Sequence, residues 1–459
     1  MAKYLAIADA DRVQDYVFTP SQLRYVRGGS ELQKRAIEKI GAYAGACKVY
    51  ANGGVALAEY DSEDRAKAFC ERAREVFAEI TGSATCTTAI APYEGDFKAG
   101  WKRVRDAVES AKRQSNAVEA LGQHWLQATC ERCGERGAEN SVQEHETSRI
   151  VCRTCRLKLE AGSPAKLRNH KPPQDFEELA GLSTPSNYLA LIYIDLDRLG
   201  RYFDEHIKEK EECQRISKAV DDAVRTSVER AGERICLRSG PHNPKDNKKP
   251  TEPYIELMAG GDDAIVMVAA HLAVPFLQYF REAFEDAALW TGLAQRPTFS
   301  VGLVLAHHHL PIWEFLRTAK ALYVSAKQRK GAHSIAFQVV SSSIADVLGG
   351  TEDLDGSYAV GKPTGNPYLL DDFLMLGDDI AQLKGMEAPR SKMHGLYEAA
   401  WKTPLQGELE YLTLLLRLPT KARAVVRRAI GPELRYLRDD ESGATKAADL
   451  VELWEFVHV

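Results

Sequence analysis

One pattern occurs twice in this chain, in the same order, and that repeat limits the fold more than any other feature. An apolar run beginning at Tyr4 leads into Asp9-Ala10-Asp11-Arg12-Val13 and, three residues on, Tyr16. A second run beginning at Tyr188 leads into Asp195-Leu196-Asp197-Arg198-Leu199 and, three residues on, Tyr202. Each reads as a strand ending in an acidic turn and passing into a helix. Two apolar runs around a Gly-Gly pair follow, at Gly53-Gly54 and at Gly260-Gly261; a tight hairpin is the natural reading of each. Helical spacing then covers 62–80 and 271–289, a strand covers 84–92 and begins again at Thr298, and a helix covers 97–113 and 311–327. Both last helices end in an alanine-lysine pair, Ala111-Lys112 and Ala326-Lys327. The order β-α-β-β-α-β with an extra helix describes a ferredoxin-like sheet. The expected class is therefore α+β, with two such sheets in one chain.

The copies differ at the hairpin turn. With the Gly-Gly pairs aligned, Val55-Ala56 stands in the first copy where Asp262-Asp263 stands in the second. The second copy also carries a polar insertion at about 239–253, expected to be a mobile loop. Between the copies lie Cys130-x-x-Cys133 and, after eighteen residues, Cys152-x-x-Cys155. That spacing suits a structural zinc site with four thiolates and no open position for catalysis. The other five cysteines have no such spacing and read as buried or incidental thiols. Beyond residue 345 a loop-like stretch, 349–367, gives way to helical sequence at 368–385, 391–402, 405–418 and 445–457. The expected organisation is a first sheet domain at 1–120, a zinc-binding linker at 121–180, a second sheet domain at 181–345 and a helical domain at 346–459.

The chemistry gathers in the second copy. Asp195 ends a strand, and Asp262 and Asp263 sit at the turn of a hairpin expected beside it. Three carboxylates brought together in a partly buried place call for cations, and oxygen ligands suit Mg²⁺ or Mn²⁺. Two such ions would serve a nucleoside triphosphate and an attacking hydroxyl. The carbonyl of Leu196 is a further candidate ligand. Gly260 and Gly261 would let phosphate or base approach the backbone closely. Lys327 and Lys330 are candidates for the β- and γ-phosphates, or simply helix C-terminal lysines favoured by the dipole. His307, His308 and His309 read as loop or nucleotide-contact residues and not as a zinc site, because adjacent strand positions face opposite sides.

Net charge is −5 over 459 residues, which excludes a generally basic nucleic-acid coat. Lys245–Lys249 and the arginines of 423–428 are local basic stretches that suit either a groove or solvated surface. No apolar run is long enough for a membrane span, and Met1-Ala2-Lys3-Tyr4 opens no signal peptide. A cytoplasmic protein without membrane partners is expected.

These features together resemble the large polymerase–cyclase subunit of type III CRISPR complexes and, more distantly, the GGDEF diguanylate cyclases. The resemblance rests on the two palms, the four-cysteine insert, Asp195-x-Asp197-x-x-Gly200, Gly260-Gly261-Asp262-Asp263, and the strand and helix from Ser300 to Lys327. It covers 1–345 well and the helical tail loosely. It implies conversion of ATP into cyclic oligoadenylate messengers in antiviral defence, with Asp195, Asp262 and Asp263 holding the metals. It implies that Gly28-Gly29-Ser30 is similar to a nucleotide-contacting Gly-Ser loop, Ser30 touching a second nucleotide. It also implies guide or target RNA and other complex subunits as partners. Many members carry an N-terminal nuclease domain with a His-Asp pair; this sequence opens on the first palm, so that DNase activity is expected to be missing. Two other readings remain: a synthase of a cyclic dinucleotide such as cyclic di-GMP, and a non-catalytic palm scaffold of an RNA-guided complex.

Overall fold

The computed structural model describes residues 3–114, 127–144, 147–162, 170–238, 249–291, 293–340, 364–400, 404–430 and 446–458. The first copy runs β1 (Lys3–Ala10), α1 (Val13–Phe18), α2 (Leu23–Ala44), β2 (Lys48–Asn52), β3 (Val55–Tyr60), α3 (Glu63–Thr81), β4 (Cys86–Tyr93) and α4 (Phe97–Gln114). A small module follows, with β5 (Asn140–Glu144), β6 (Thr147–Val151) and α5 (Arg153–Ala161). After α6 (Phe176–Gly181) the second copy runs β7 (Tyr188–Leu196), α7 (Leu199–His206), α8 (Lys210–Arg238), β8 (Tyr254–Gly260), β9 (Asp263–Ala269), α9 (Ala273–Phe284), β10 (Phe299–His307), α10 (Ile312–Ala326) and β11 (Ser334–Val340). The chain continues with β12 (Tyr368–Leu369), α11 (Leu370–Gly385), α12 (Arg390–Ala400), α13 (Pro404–Arg417), α14 (Thr420–Ile430) and α15 (Lys446–Leu453).

The first sheet has the order β2-β3-β1-β4. The second has β8-β9-β7-β10, the same order, extended by β11 and β12. The two ferredoxin-like palms expected from the repeat are present. Their central strands read as near-continuous apolar runs because both faces are covered. Leu5 and Ile7 of β1 share one core with Ala190, Ile192 and Ile194 of β7. Their neighbours Ala6 and Ala8 share the opposite core with Leu189, Leu191 and Tyr193. Strand alternation thus sends successive residues into two cores, and each core spans both palms.

The module between the palms is anchored from below. The buried Lys158 of α5 donates through Nζ to the carbonyls of Tyr16 and Thr19, and its ammonium lies over the Tyr16 ring. Gly28 and Gly29 sit here too. They lie within helix α2 and not in a loop. A Cβ on Gly28 would stand 1.8 Å from the Lys158 carbonyl oxygen, and one on Gly29 would stand 3.0 Å from Val17 Cα. Helix packing therefore accounts for both glycines.

Four expected helices of the tail are found, and a fifth, α14, carries the arginines of the local basic stretch 423–428. Arg428 pairs with the buried Asp379 of α11, and Arg423 donates to the carbonyls of Leu416 and Leu418. Arg428 thus ties α14 to α11, and Arg423 fastens the start of α14 to the end of α13. Of the other basic stretch, 245–248 lies outside the described residues, as do 239–248 of the insertion and 349–363 of the loop-like segment. Among the described residues no helix is long and apolar enough to cross a membrane.

Candidate active site between the palms

Strand register brings the carboxylates to one edge. Asp195 is paired across the sheet with Asp263 on one side and with Ser300 on the other. Gly260 pairs with Asp263, so Gly261 and Asp262 form the hairpin turn. The Leu196 amide donates to the Asp262 carbonyl at 3.0 Å, which ties the turn to the end of β7.

Burial raises the pKa of all three carboxyls. Asp263 is pushed up to about 8, by burial first and then by the charges of Asp262 and Asp195. Asp262 is raised chiefly by burial; its side chain faces the open cavity, yet protein crowds around it. Asp195 is raised by burial against the opposing effect of Lys327. Lys327 Nζ donates to Asp195 Oδ2 at 2.7 Å, and the Tyr323 hydroxyl donates to the same oxygen at 3.0 Å. The oxygens of the three aspartates do not all come within 4.8 Å of one another. The donor set fits hard divalent cations: three carboxylates, two of them in adjacent strands, each destabilised as an anion where it stands.

Asp197 has a different place. It accepts from Thr298 Oγ1 at 2.7 Å and from Ser300 Oγ at 2.6 Å, so it fastens the β7–α7 turn to β10. Lys330 is exposed past the end of α10.

The hairpin tips of the two palms meet. Gly53 and Gly261 have φ of +54° and +67°, and a Cβ on either would stand 2.7 Å from the other's Cα. Only glycine satisfies both the left-handed backbone and this approach. Helix α8 holds both tips from one face. The Ser217 carbonyl accepts from Asn52 Nδ2 at 3.1 Å, and one turn on, Asp221 Oδ1 accepts from the Gly261 amide at 2.7 Å. Asp221 is itself paired with Arg225 at 3.0 Å. Beside the tips opens a cavity of about 1220 Å³ lined by Arg12, Ser30, Asn52, Asp221, Asp262 and Lys320, among others. A second cavity of about 1260 Å³ lies against the acidic end of β1, with Asp11, Thr87, Lys112, Arg136 and Trp313 on its walls.

Ser30 thus reaches the cavity of the second palm's carboxylates, whereas Gly29 is absorbed in helix packing. Sequence reasoning missed Asp221, Arg225, Lys320 and Tyr323. Asp221 and Arg225 lie on a long charged helix whose polar residues resemble any solvated face. Tyr323 had one readable signal: it precedes Lys327 by four residues and shares its helix face.

The four cysteines cluster as expected. The ligand atoms of Cys130, Cys133, Cys152 and Cys155 lie within 4.8 Å of one another. Gly134 takes φ +68° in the first knuckle, and the Cys155 amide points to Cys152 Sγ at 3.4 Å. Such a set can hold a zinc ion.

Residues 188–336 match the family model described as Cas10/Cmr2, second palm domain. The second palm is thus similar to the second palm domain of Cas10/Cmr2. No curated protein matches the chain by sequence. Solved structures extend the likeness over nearly the whole chain. A Csm1–Csm4 cassette in complex with cA4 aligns with a TM-score of 0.64 at 17% identity, over 99% of this chain and 69% of that one. The cassette in complex with one ATP gives 0.61 at 16%, over 99% and 70%. The Csm1–Csm4 subcomplex in the type III-A CRISPR-Csm interference complex gives 0.59 at 17%, over 98% and 70%. At this identity the likeness is one of fold, and it places the Cas10/Cmr2-type palm within a two-palm chain like those structures.

Proposed function

We propose that this chain is a nucleotidyltransferase that joins ATP into cyclic oligoadenylates through 3′–5′ phosphodiester bonds, as the polymerase–cyclase subunit of a type III CRISPR complex. One observation carries the reading: Asp195 and Asp263 face each other across paired strands, with Asp262 in the adjoining turn, at the mouth of a cavity between two palms. The cavity has room for nucleotide beside the carboxylates. Asp195, Asp262 and Asp263 would hold two Mg²⁺ or Mn²⁺ ions, which when bound lower the pKa of the attacking hydroxyl and neutralise charge on the triphosphate. The 3′-hydroxyl of one nucleotide attacks the α-phosphorus of the next, and the bond to pyrophosphate breaks. Lys327 exchanges its bond to Asp195 for the phosphates. Ser30, from the opposite palm, lies where it meets the second nucleotide, and Gly260 and Gly261 keep the turn low enough for the substrate. Lys330 adds positive charge at the rim. The four cysteines hold a structural zinc ion.

ATP complexes and cA4 complexes of the similar Csm1–Csm4 cassettes support the choice of base and product. The same structures support a Csm4-like partner; guide and target RNA are proposed as further partners of the assembly. The test is incubation of the purified chain, alone and with its partner subunits and target RNA, with each NTP and Mn²⁺ or Mg²⁺. Mass spectrometry reads the products. Cyclic oligoadenylate that disappears in the Asp262→Ala/Asp263→Ala variant is expected. No product under any of these conditions, with ATP binding unaffected by metal, overturns the reading in favour of a palm scaffold.

A further inference from the structure

His307, His308 and His309 play no part in the proposed reaction. They stand at the far end of β10 from the carboxylates: Ser300 pairs with Asp195, and His307 pairs with Tyr188. Seven strand residues separate the two ends, about 23 Å at roughly 3.3 Å each. The alternation that would turn adjacent histidines apart does not apply, because the strand stops at His307 and the chain turns before α10. The three imidazoles gather instead. One nitrogen of each lies within 4.8 Å of the other two, and their ring centroids stand 4.1 to 4.8 Å apart.

We propose that these three histidines form a second metal site, for a borderline divalent ion such as Zn²⁺. Imidazole ligands select Zn²⁺, Cu²⁺ or Ni²⁺ over Mg²⁺ and Ca²⁺, so the site is chemically distinct from the carboxylate edge. The surroundings already orient two of the rings. His308 Nδ1 stands 3.3 Å from the Asn187 carbonyl oxygen, which makes Nδ1 the protonated nitrogen and leaves Nε2 to ligate. His307 is packed edge-on to Tyr188, and its Nδ1 accepts from the His309 amide at 3.3 Å. That lone pair is the one available to a metal, in exchange for the amide contact. His309 is exposed and supplies the third ligand. A carbonyl behind a ligating histidine is the usual second layer of such sites. Three protein ligands leave a position for water. The bound ion would brace the β10–α10 turn, whose His308 already reaches the Asn187 carbonyl ahead of β7.

The full chain tests this, with its cysteine cluster as internal reference. After loading with Zn²⁺ and desalting, native mass spectrometry is expected to give two zinc ions per chain for the wild type and one for His307→Ala/His309→Ala. Co²⁺ substitution separates the classes, since only the cysteine site gives thiolate-to-cobalt charge transfer. A second equivalent of Co²⁺ that binds the wild type without adding to that band, and that is lost in His307→Ala/His309→Ala, supports the proposal. If the alanine variant fails to fold, His308→Gln/His309→Gln replaces it, with circular dichroism as the check. One zinc ion in wild type and variant alike overturns the proposal, and so does a second ion that an equimolar weak chelator removes or that the variants retain.

Discussion

The two palms are built on one plan, and each residue of the first has a counterpart that shows what the second adds. Asp9 is paired with Lys112 at 2.8 Å, as Asp195 is with Lys327 at 2.7 Å. Asp11 accepts from Thr85 and Thr87, as Asp197 accepts from Thr298 and Ser300. Arg12 and Arg198 both take the left-handed backbone at the start of the following helix. The difference lies across the sheet. Asp9 faces Val55, whereas Asp195 faces Asp263. In the first palm one lysine stands against Asp9 and Asp11; in the second, its counterpart Lys327 holds Asp195, with Asp262 and Asp263 added beside it. The second palm therefore carries two carboxyls more than the first, an excess that a cation would satisfy.

The largest effect that sharpens this contrast is expected from Asp262→Ala/Asp263→Ala. Product formation should fall by about a thousandfold or more, in line with loss of charge stabilisation at a reacting phosphate, while Asp9→Ala should keep activity within about tenfold. Equal losses in an NTP turnover assay would mean that the palms share the chemistry. Next comes the clamp on the tips. Asp221→Ala removes the acceptor for the Gly261 amide and should lower turnover about ten- to a hundredfold with melting temperature nearly unchanged, an effect of misplacement by a small distance. Ser217→Ala, which removes the hydroxyl bond to Asn52 Oδ1 at 3.0 Å but keeps the backbone carbonyl that Asn52 Nδ2 uses, should have a smaller effect. If both are silent, the tips are held by the palms alone.

A ligand that binds only the folded state raises its stability. Saturating Mn²⁺ should therefore raise the melting temperature of the wild type by a few degrees, and this shift should be lost in Asp263→Asn and kept in Asp9→Asn. Differential scanning fluorimetry distinguishes the two. A further contrast is the pH dependence of the metal-free chain. Asp263 in the folded state has its pKa raised from 3.8 to about 8, so the folded chain holds the proton more tightly than the unfolded one. Its contribution to stability is then fullest below pH about 4, declines as pH rises, and levels off above about 8. Relative to the wild type, Asp263→Asn should gain stability across that window. A parallel pair of stability–pH curves would contradict the burial of this carboxyl.

Much of the architecture is legible in the sequence because it depends on local periodicity. The strands, the paired helices and the four cysteines were readable at nearly their observed positions. The hairpins were readable too, but their alignment was not. Matching Gly53-Gly54 to Gly260-Gly261 sets Gly54 against Gly261. The strand register sets Val55 against Asp263, which makes Gly53 the counterpart of Gly261 and Gly54 that of Asp262. The glycine pairs differ by one step because the first turn is Gly53-Gly54 and the second is Gly261-Asp262. Gly28-Gly29 is a loop by the family resemblance alone; close contact with α5 places both in a helix despite the low helix propensity of glycine. The histidine cluster escaped because a strand's end cannot be fixed from alternation alone.

The sequence by itself determined that two related α+β units flank a four-thiolate insert and that only the second unit carries extra carboxylates. These follow from side-chain chemistry and from periods of two and 3.6 residues, which are local properties of a chain. The tertiary structure alone decided that the two hairpin tips meet at Gly53 and Gly261, that Ser217 and Asp221 hold them from one helix, and that Ser30 of one palm reaches the cavity beside the carboxylates of the other. Those contacts join residues far apart in the chain, and their positions are fixed by how two shared cores close, which no local pattern encodes.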